Sequence, residues 1–294
     1  MMVGLAAGIG TVLAACGPSD AQAEDRIQVV VSMSVIGDLV EQVAGEHADV
    51  RSLVPIGGDP HVHQPTPSDA RAIADADVVL ANGAGLEPWF DTLVAGADRK
   101  ASFLTTDLDH VLLDEQDGVS DPHLWMVPPY VEVYVQTIAQ HLAEADPDNA
   151  EAYRSNALVY RDELAALDHE LKERLSRIPQ DHRVLVTSHD AYRYFAEHYG
   201  LKVVPVIGVT TEEEPSAARV RDVVDVIRAQ QVPTVFVETT INPAVMERIA
   251  RDAGVSVGDP LYGDSIGEQG SGADSYIGMM RANVEAITVG LAPS

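Results

Sequence analysis

From residue 27 onward the chain alternates short β-branched runs with segments whose apolar residues recur at helical spacing. Residues 27–31, 50–54 and 78–81 read as strands. Between them, residues 35–48 read as a helix with Val35, Ile36, Leu39, Val40 and Val43 on one face. A further helix starts at Ser68, a suitable N-cap with Asp69 in its first turn. A second series follows, with strands at 184–187, 203–206 and 234–237 and helices at 191–199, 216–230 and 243–253. A closing helix covers about 274–291. Apolar strands alternating with helices imply parallel sheets covered on both faces.

Between the two series, residues 149–178 contain neither Gly nor Pro. Leu158, Leu164, Leu167, Leu171 and Leu175 recur there at helical spacing among acids and bases. A helix of this length spans about 45 Å, more than one small lobe needs. The expected architecture is therefore α/β with two lobes, each a parallel sheet with flanking helices, bridged by one long helix. The segments are 27–148, 149–178 and 179–294, with no internal repeat visible in the sequence.

Composition narrows the function. With 46% hydrophobic residues in 294, the chain can bury a sizeable core. A net charge of −27 argues against nucleic acid as partner, because phosphate binding needs clustered Lys and Arg. Residues 1–147 hold 23 acids and 5 bases, and residues 148–294 hold 23 acids and 14 bases. Such a balance suits a cationic ligand or plain solubility. The one cysteine excludes a disulfide framework and any site built from several thiolates.

That cysteine, Cys16, follows Leu13-Ala14-Ala15, and residues 1–15 carry no charge. This apolar run is shorter than the roughly 20 residues a membrane span needs and reads as a secretory signal. Leu-Ala-Ala-Cys resembles the lipobox of bacterial lipoproteins, in which the cysteine is acylated and becomes the mature N-terminus. The bland alternative is a chance cysteine in a simple signal peptide. No basic residue precedes Arg26, unlike the usual signal. Residues 16–26 then form a polar tether, and the mature chain is expected outside the cytoplasm, periplasmic or lipid-anchored to the outer face of the cytoplasmic membrane.

Four short segments carry chemistry, each in a loop that follows or approaches a predicted strand. They are Gly57-Gly58-Asp59-Pro60-His61-Val62-His63-Gln64-Pro65, Ser120-Asp121-Pro122-His123-Leu124-Trp125, Thr187-Ser188-His189-Asp190 and Tyr262-Gly263-Asp264-Ser265. Ligands of open α/β sheets gather beyond the carboxyl ends of strands. Asp-Pro-His occurs twice, sixty-two residues apart. Proline fixes its own φ and holds the preceding residue extended. Three imidazoles and one carboxylate suit metal binding, and a tetrahedral set of such donors fits Zn²⁺. Taken singly, a loop histidine is more often solvated or hydrogen-bonded than a ligand.

These segments together resemble the metal-receptor family of ABC importers, solute-binding proteins for zinc and manganese. The likeness runs nearly end to end. It includes Pro65-Thr66-Pro67-Ser68-Asp69, Asp121-Pro122-His123-Leu124-Trp125, Thr187-Ser188-His189, Thr211-Glu212-Glu213-Glu214-Pro215, Val235-Phe236-Val237-Glu238 and Asp264-Ser265-Ile266-Gly267. The resemblance implies that His61, His123, His189 and Asp264 are the metal ligands. Related manganese receptors often place Glu at the third position, so His189 leans toward zinc, with manganese or iron as the alternative. It also implies a monomeric, non-enzymatic receptor that hands one divalent ion to a membrane permease, with modest closure.

Two departures stand out. His63 and Gln64 occupy positions where relatives often have an aromatic residue and Glu. In an extended loop His63 points away from the side His61 faces. The long His-rich loop of many zinc receptors is replaced by residues 107–121, which read as a solvated acidic loop. Rival readings are a surface adhesin lipoprotein and a zinc-dependent hydrolase. The latter needs an open coordination position and a general base, and no His-Glu-x-x-His helix is present.

Overall fold

The computed structural model describes residues 26–111 and 120–292. The leader, Cys16 and the tether up to residue 25 lie outside the described residues, as does most of the acidic stretch between Asp107 and Asp121. Strands β1 (Ile27–Val31), β2 (Ala48–Ser52), β3 (Val78–Ala81) and β4 (Ser102–Phe103) form one parallel sheet in the order β2-β1-β3-β4. All of β3 and the last three residues of β1 are buried, consistent with their central places and unbroken Val/Leu/Ala content.

Helix α1 (Ser34–Ala44) stops earlier than its apolar periodicity suggests. Gly45 adopts φ +58°, a conformation that suits glycine, and a 3-10 turn (Gly45–His47) leads directly into β2. Helix α2 (Pro67–Asp75) is capped by Thr66 rather than Ser68. The Thr66 hydroxyl accepts from the Asp69 N–H while the Asp69 carboxylate accepts from the Thr66 N–H, a capping box. Helix α3 (Phe90–Gly96) and the longer α4 (Pro128–Ala145) were not expected from the pattern.

Helix α5 (Ala150–Ser176) is the long helix, about 40 Å by its residue count. It packs on α1 and α4 on one side of the molecule and on α6 (Arg193–Tyr199) and α9 (Tyr276–Gly290) on the other. Its buried face is Tyr153, Ala157, Tyr160, Leu164, Leu167, Leu171 and Leu175. Leu158, expected on that face, is 62% exposed, because Ala157 and Tyr160 take the inward positions of its turn. The largest apolar cluster is continuous from β1 and α1 through α4 and α5 to α9, with a smaller cluster in each half.

The second half contains β5 (Val184–Thr187), β6 (Lys202–Pro205), α7 (Ala217–Ala229), β7 (Thr234–Val235), α8 (Ala244–Ala253) and β8 (Ser256–Val257). Strands β5 and β6 form one parallel pair, β7 and β8 another. The Phe236 N–H donates to the Val186 carbonyl (2.9 Å) and sets the pairs side by side. The resulting order β6-β5-β7-β8 repeats that of the first sheet. The repeat is one of topology, which is why sequence comparison within the chain misses it.

Candidate metal centre

Each candidate side chain sits on a loop that leaves the carboxyl end of a strand, where ligands of open α/β sheets gather. His61 lies on the loop between β2 and α2, and His123 follows β4 immediately before a 3-10 turn (Leu124–Met126). His189 lies two residues past β5, and Asp264 lies on the loop between β8 and α9. The structure brings these four together: one ligand atom from each lies within 4.8 Å of the others. All four residues are buried.

The separations suit one small ion. His189 Nε2 lies 3.3 Å from His123 Nε2 and 3.3 Å from Asp264 Oδ2, and His123 Nε2 lies 3.6 Å from Asp264 Oδ1. His61 Nε2 stands further off, 3.9 Å from Asp264 Oδ2. A tetrahedron with bonds of about 2.1 Å has edges of about 3.4 Å. Both imidazole nitrogens of His61 and both carboxylate oxygens of Asp264 are buried without a hydrogen-bond partner. Buried polar atoms ordinarily find partners, and a cation at the common point would satisfy His61 Nε2 and the Asp264 carboxylate.

The repeated Asp-Pro-His has a mechanical role. In both copies the aspartate Oδ1 accepts the backbone N–H of the histidine two residues on, at 2.9 Å for Asp59–His61 and 3.0 Å for Asp121–His123. Asp121 also meets His123 Nδ1 at 2.8 Å, which directs the Nε2 lone pair inward when Nδ1 carries the proton. Glu238 serves His189 in a similar way. Its Oε1 accepts the His189 N–H at 2.9 Å and its Oε2 lies 2.7 Å from Nδ1, although off the N–H axis. Neither task of Asp121 and Glu238 is visible in the motifs that contain them. Asp121 is buried, so it does not belong to a solvated acidic loop.

Electrostatics distinguishes the imidazoles. Burial, with nearby His123 and His189, pushes His61 down to about 3 despite the attraction of Asp264. Burial also acts to lower His189, but Glu238 and Asp264 outweigh it and hold this imidazole well above its ordinary value. For Asp264 burial acts upward, and His189, His123 and His61 together hold it below the usual carboxylate range.

Around the centre the loops interlock. Trp125 Nε1–H donates to the Gly263 carbonyl (2.9 Å), Tyr194 O–H to the Asp121 carbonyl (2.9 Å) and Asn82 Nδ2–H to the Pro122 carbonyl (3.0 Å). A Cβ at Gly263 would come within 2.5 Å of Glu238 Oε2, so glycine there lets the Asp264 loop approach the His189 support. His63 lies outside the centre, its ring 4.7 Å from that of Trp89 and its Nε2 3.7 Å from Asp69 Oδ2.

An α/β frame presents three inward imidazoles and a carboxylate from loops of both halves, the donor set of a metal site, and the family that the chain matches is one of solute-binding receptors, not enzymes. The chain belongs to the family described as Zinc-uptake complex component A periplasmic, whose model matches residues 29–290. It is the substrate-binding component of a metal ABC importer. It is 39% identical to the manganese-binding lipoprotein MntA of Halalkalibacterium halodurans over 96% of this chain and 95% of that one. It is 34% identical to the manganese ABC transporter substrate-binding lipoprotein PsaA of Streptococcus pneumoniae over 96% and 95%. Its structure resembles the periplasmic zinc binding protein TroA of Treponema pallidum, with a TM-score of 0.88 and 26% identity, covering 91% of this chain and all of that one. A Mn-bound periplasmic metal binding protein from Candidatus Liberibacter asiaticus matches with a TM-score of 0.80 and 28% identity, covering 90% of this chain and all of the other.

Proposed function

We propose that the protein captures one divalent ion, zinc by preference, between His61, His123, His189 and Asp264 and delivers it to the permease of its importer. It works outside the cytoplasm at the membrane's outer face, held there by a lipid on Cys16, and acts as a monomer whose lobes are residues 27–148 and 179–294 joined by the long helix. The observation carrying this reading is the buried cage in which His61 and Asp264 have no other partner. Three nitrogens and one carboxylate suit zinc, whereas manganese prefers more oxygen.

Manganese is the second reading, favoured by the names of the relatives at 39% and 34% identity. Raw affinity alone discriminates poorly, since most sites hold zinc more tightly than manganese. The test is metal content of protein exported by cells supplied with both ions, together with His189→Glu. Zinc as the main co-purifying ion, shifting toward manganese in His189→Glu, supports the zinc reading. Manganese as the main ion in the unaltered protein selects the second.

A further inference from the structure

The four ligands are not held alike. The hydrogen bonds that cross between the two halves at α1, α9, His123 and Asp264 are buried. They include Trp125 to Gly263, Tyr194 to Asp121, Tyr276 O–H to the Trp125 carbonyl (2.8 Å) and Tyr276 N–H to Asp38 (2.8 Å). The loop carrying His61 differs. It is tied to its own half by Trp89 Nε1–H, which donates to the Pro60 carbonyl (2.7 Å). Among the described residues its hydrogen bonds to the other half are two part-buried ones: Gly57 N–H to Ser265 Oγ (2.8 Å) and Thr211 Oγ1–H to Asp59 Oδ2 (2.6 Å).

Asp59 joins two contacts. One oxygen accepts the His61 N–H, and the other accepts the Thr211 hydroxyl from the far side of the cleft. In the second Asp-Pro-His the aspartate instead braces the histidine ring itself. His61 has no such brace, and both its ring nitrogens lack a partner. The Asp59–Thr211 contact also borders solvent, because a cavity of about 370 Å³ is lined by Asp59, Ser188, Thr211, Glu213 and Glu214. Pro55, Ile56, Gly57 and Val62 around it are exposed. A bond in this position can exchange for water at small cost, whereas breaking the buried ties would leave unsatisfied groups.

We propose that the Thr211–Asp59 hydrogen bond is a latch across the cleft that holds His61 on the captured ion, so that Thr211 and Asp59 are positioning residues for retention and release. The three other ligands form a preassembled seat, and His61 is the ligand that leaves first. A closed latch opposes departure of the ion, so its loss is read in the dissociation rate. This inference rests on the proposed metal-receptor function.

The test is stopped-flow release of Zn²⁺ to a chelator from the unaltered protein, Thr211→Val and Thr211→Ser. Hydrogen exchange over residues 55–64 is measured in the loaded state, and the melting temperature in the ion-free state. A part-buried hydrogen bond of ordinary net strength corresponds to a rate change of about threefold to tenfold. Expected is release faster by about that factor in Thr211→Val, restored in Thr211→Ser, with faster exchange in the loop and an unchanged ion-free melting temperature. Release from Thr211→Val at the unaltered rate overturns the latch while leaving the receptor reading intact. An unaltered protein that binds no zinc overturns both. An equal fall in the ion-free melting temperature would assign Thr211 to the fold and also overturn the latch.

Discussion

His123 and His189 each have a buried carboxyl group beside the ring nitrogen that faces away from the centre, and His61 has none. This difference sets how each imidazole meets a cation. Held near 3, His61 is a neutral imidazole at pH 7 and gives up no imidazolium proton to a cation. Glu238 and Asp264 hold His189 well above its ordinary value against the opposing effect of burial, so this is the imidazole that favours its extra proton. A cation must displace it. Zinc binding near neutral pH should therefore release protons through His189, and affinity should fall as pH drops. Calorimetry in buffers of different ionisation enthalpy measures this, and an uptake or release near zero would show His189 already neutral. The four candidate ligands were legible because each stands in a short segment that resembles the family's. Their supports were less so, because Glu238 lies 49 positions from the histidine it serves and only the fold joins them.

Among the elements, strands and most helices were readable from periodicity, and the failures have local causes. Helix α4 begins with Pro128-Pro129 and continues through Tyr130-Val131-Glu132-Val133-Tyr134-Val135, a composition that favours strands. Proline at the first helical positions costs no intrahelical hydrogen bond, and burial of Val131, Tyr134, Val135, Ile138 and Leu142 decides for helix. In α5 leucines at nearly the right spacing hid a phase error at Leu158. Leu164 and Leu158 now make a paired prediction. Leu164→Ala, at a fully buried position between packed helices, should destabilise by about 2–5 kcal/mol. Leu158→Ala should change stability by no more than about 0.5 kcal/mol. Urea unfolding of the two variants measures both, and equal losses would place the helix in a different rotation.

At the scale of the molecule, two sheets with the same strand order face a common centre, and a single helix packs against both halves. Strand–helix alternation made the α/β class readable, but the repeated topology has no counterpart in residue identity. The charge of −27 surrounds a centre in which one carboxylate, Asp264, joins three imidazoles. The acidity therefore favours cation approach in general, and selectivity resides in the buried loops. The most direct measurement of that centre is an anomalous difference map, at the zinc absorption edge, from crystals of the zinc-loaded protein. Expected is a single strong peak about 2.0–2.2 Å from the Nε2 atoms of His61, His123 and His189 and from a carboxylate oxygen of Asp264. A peak elsewhere, or one with any of these four outside bonding distance, would contradict the assignment.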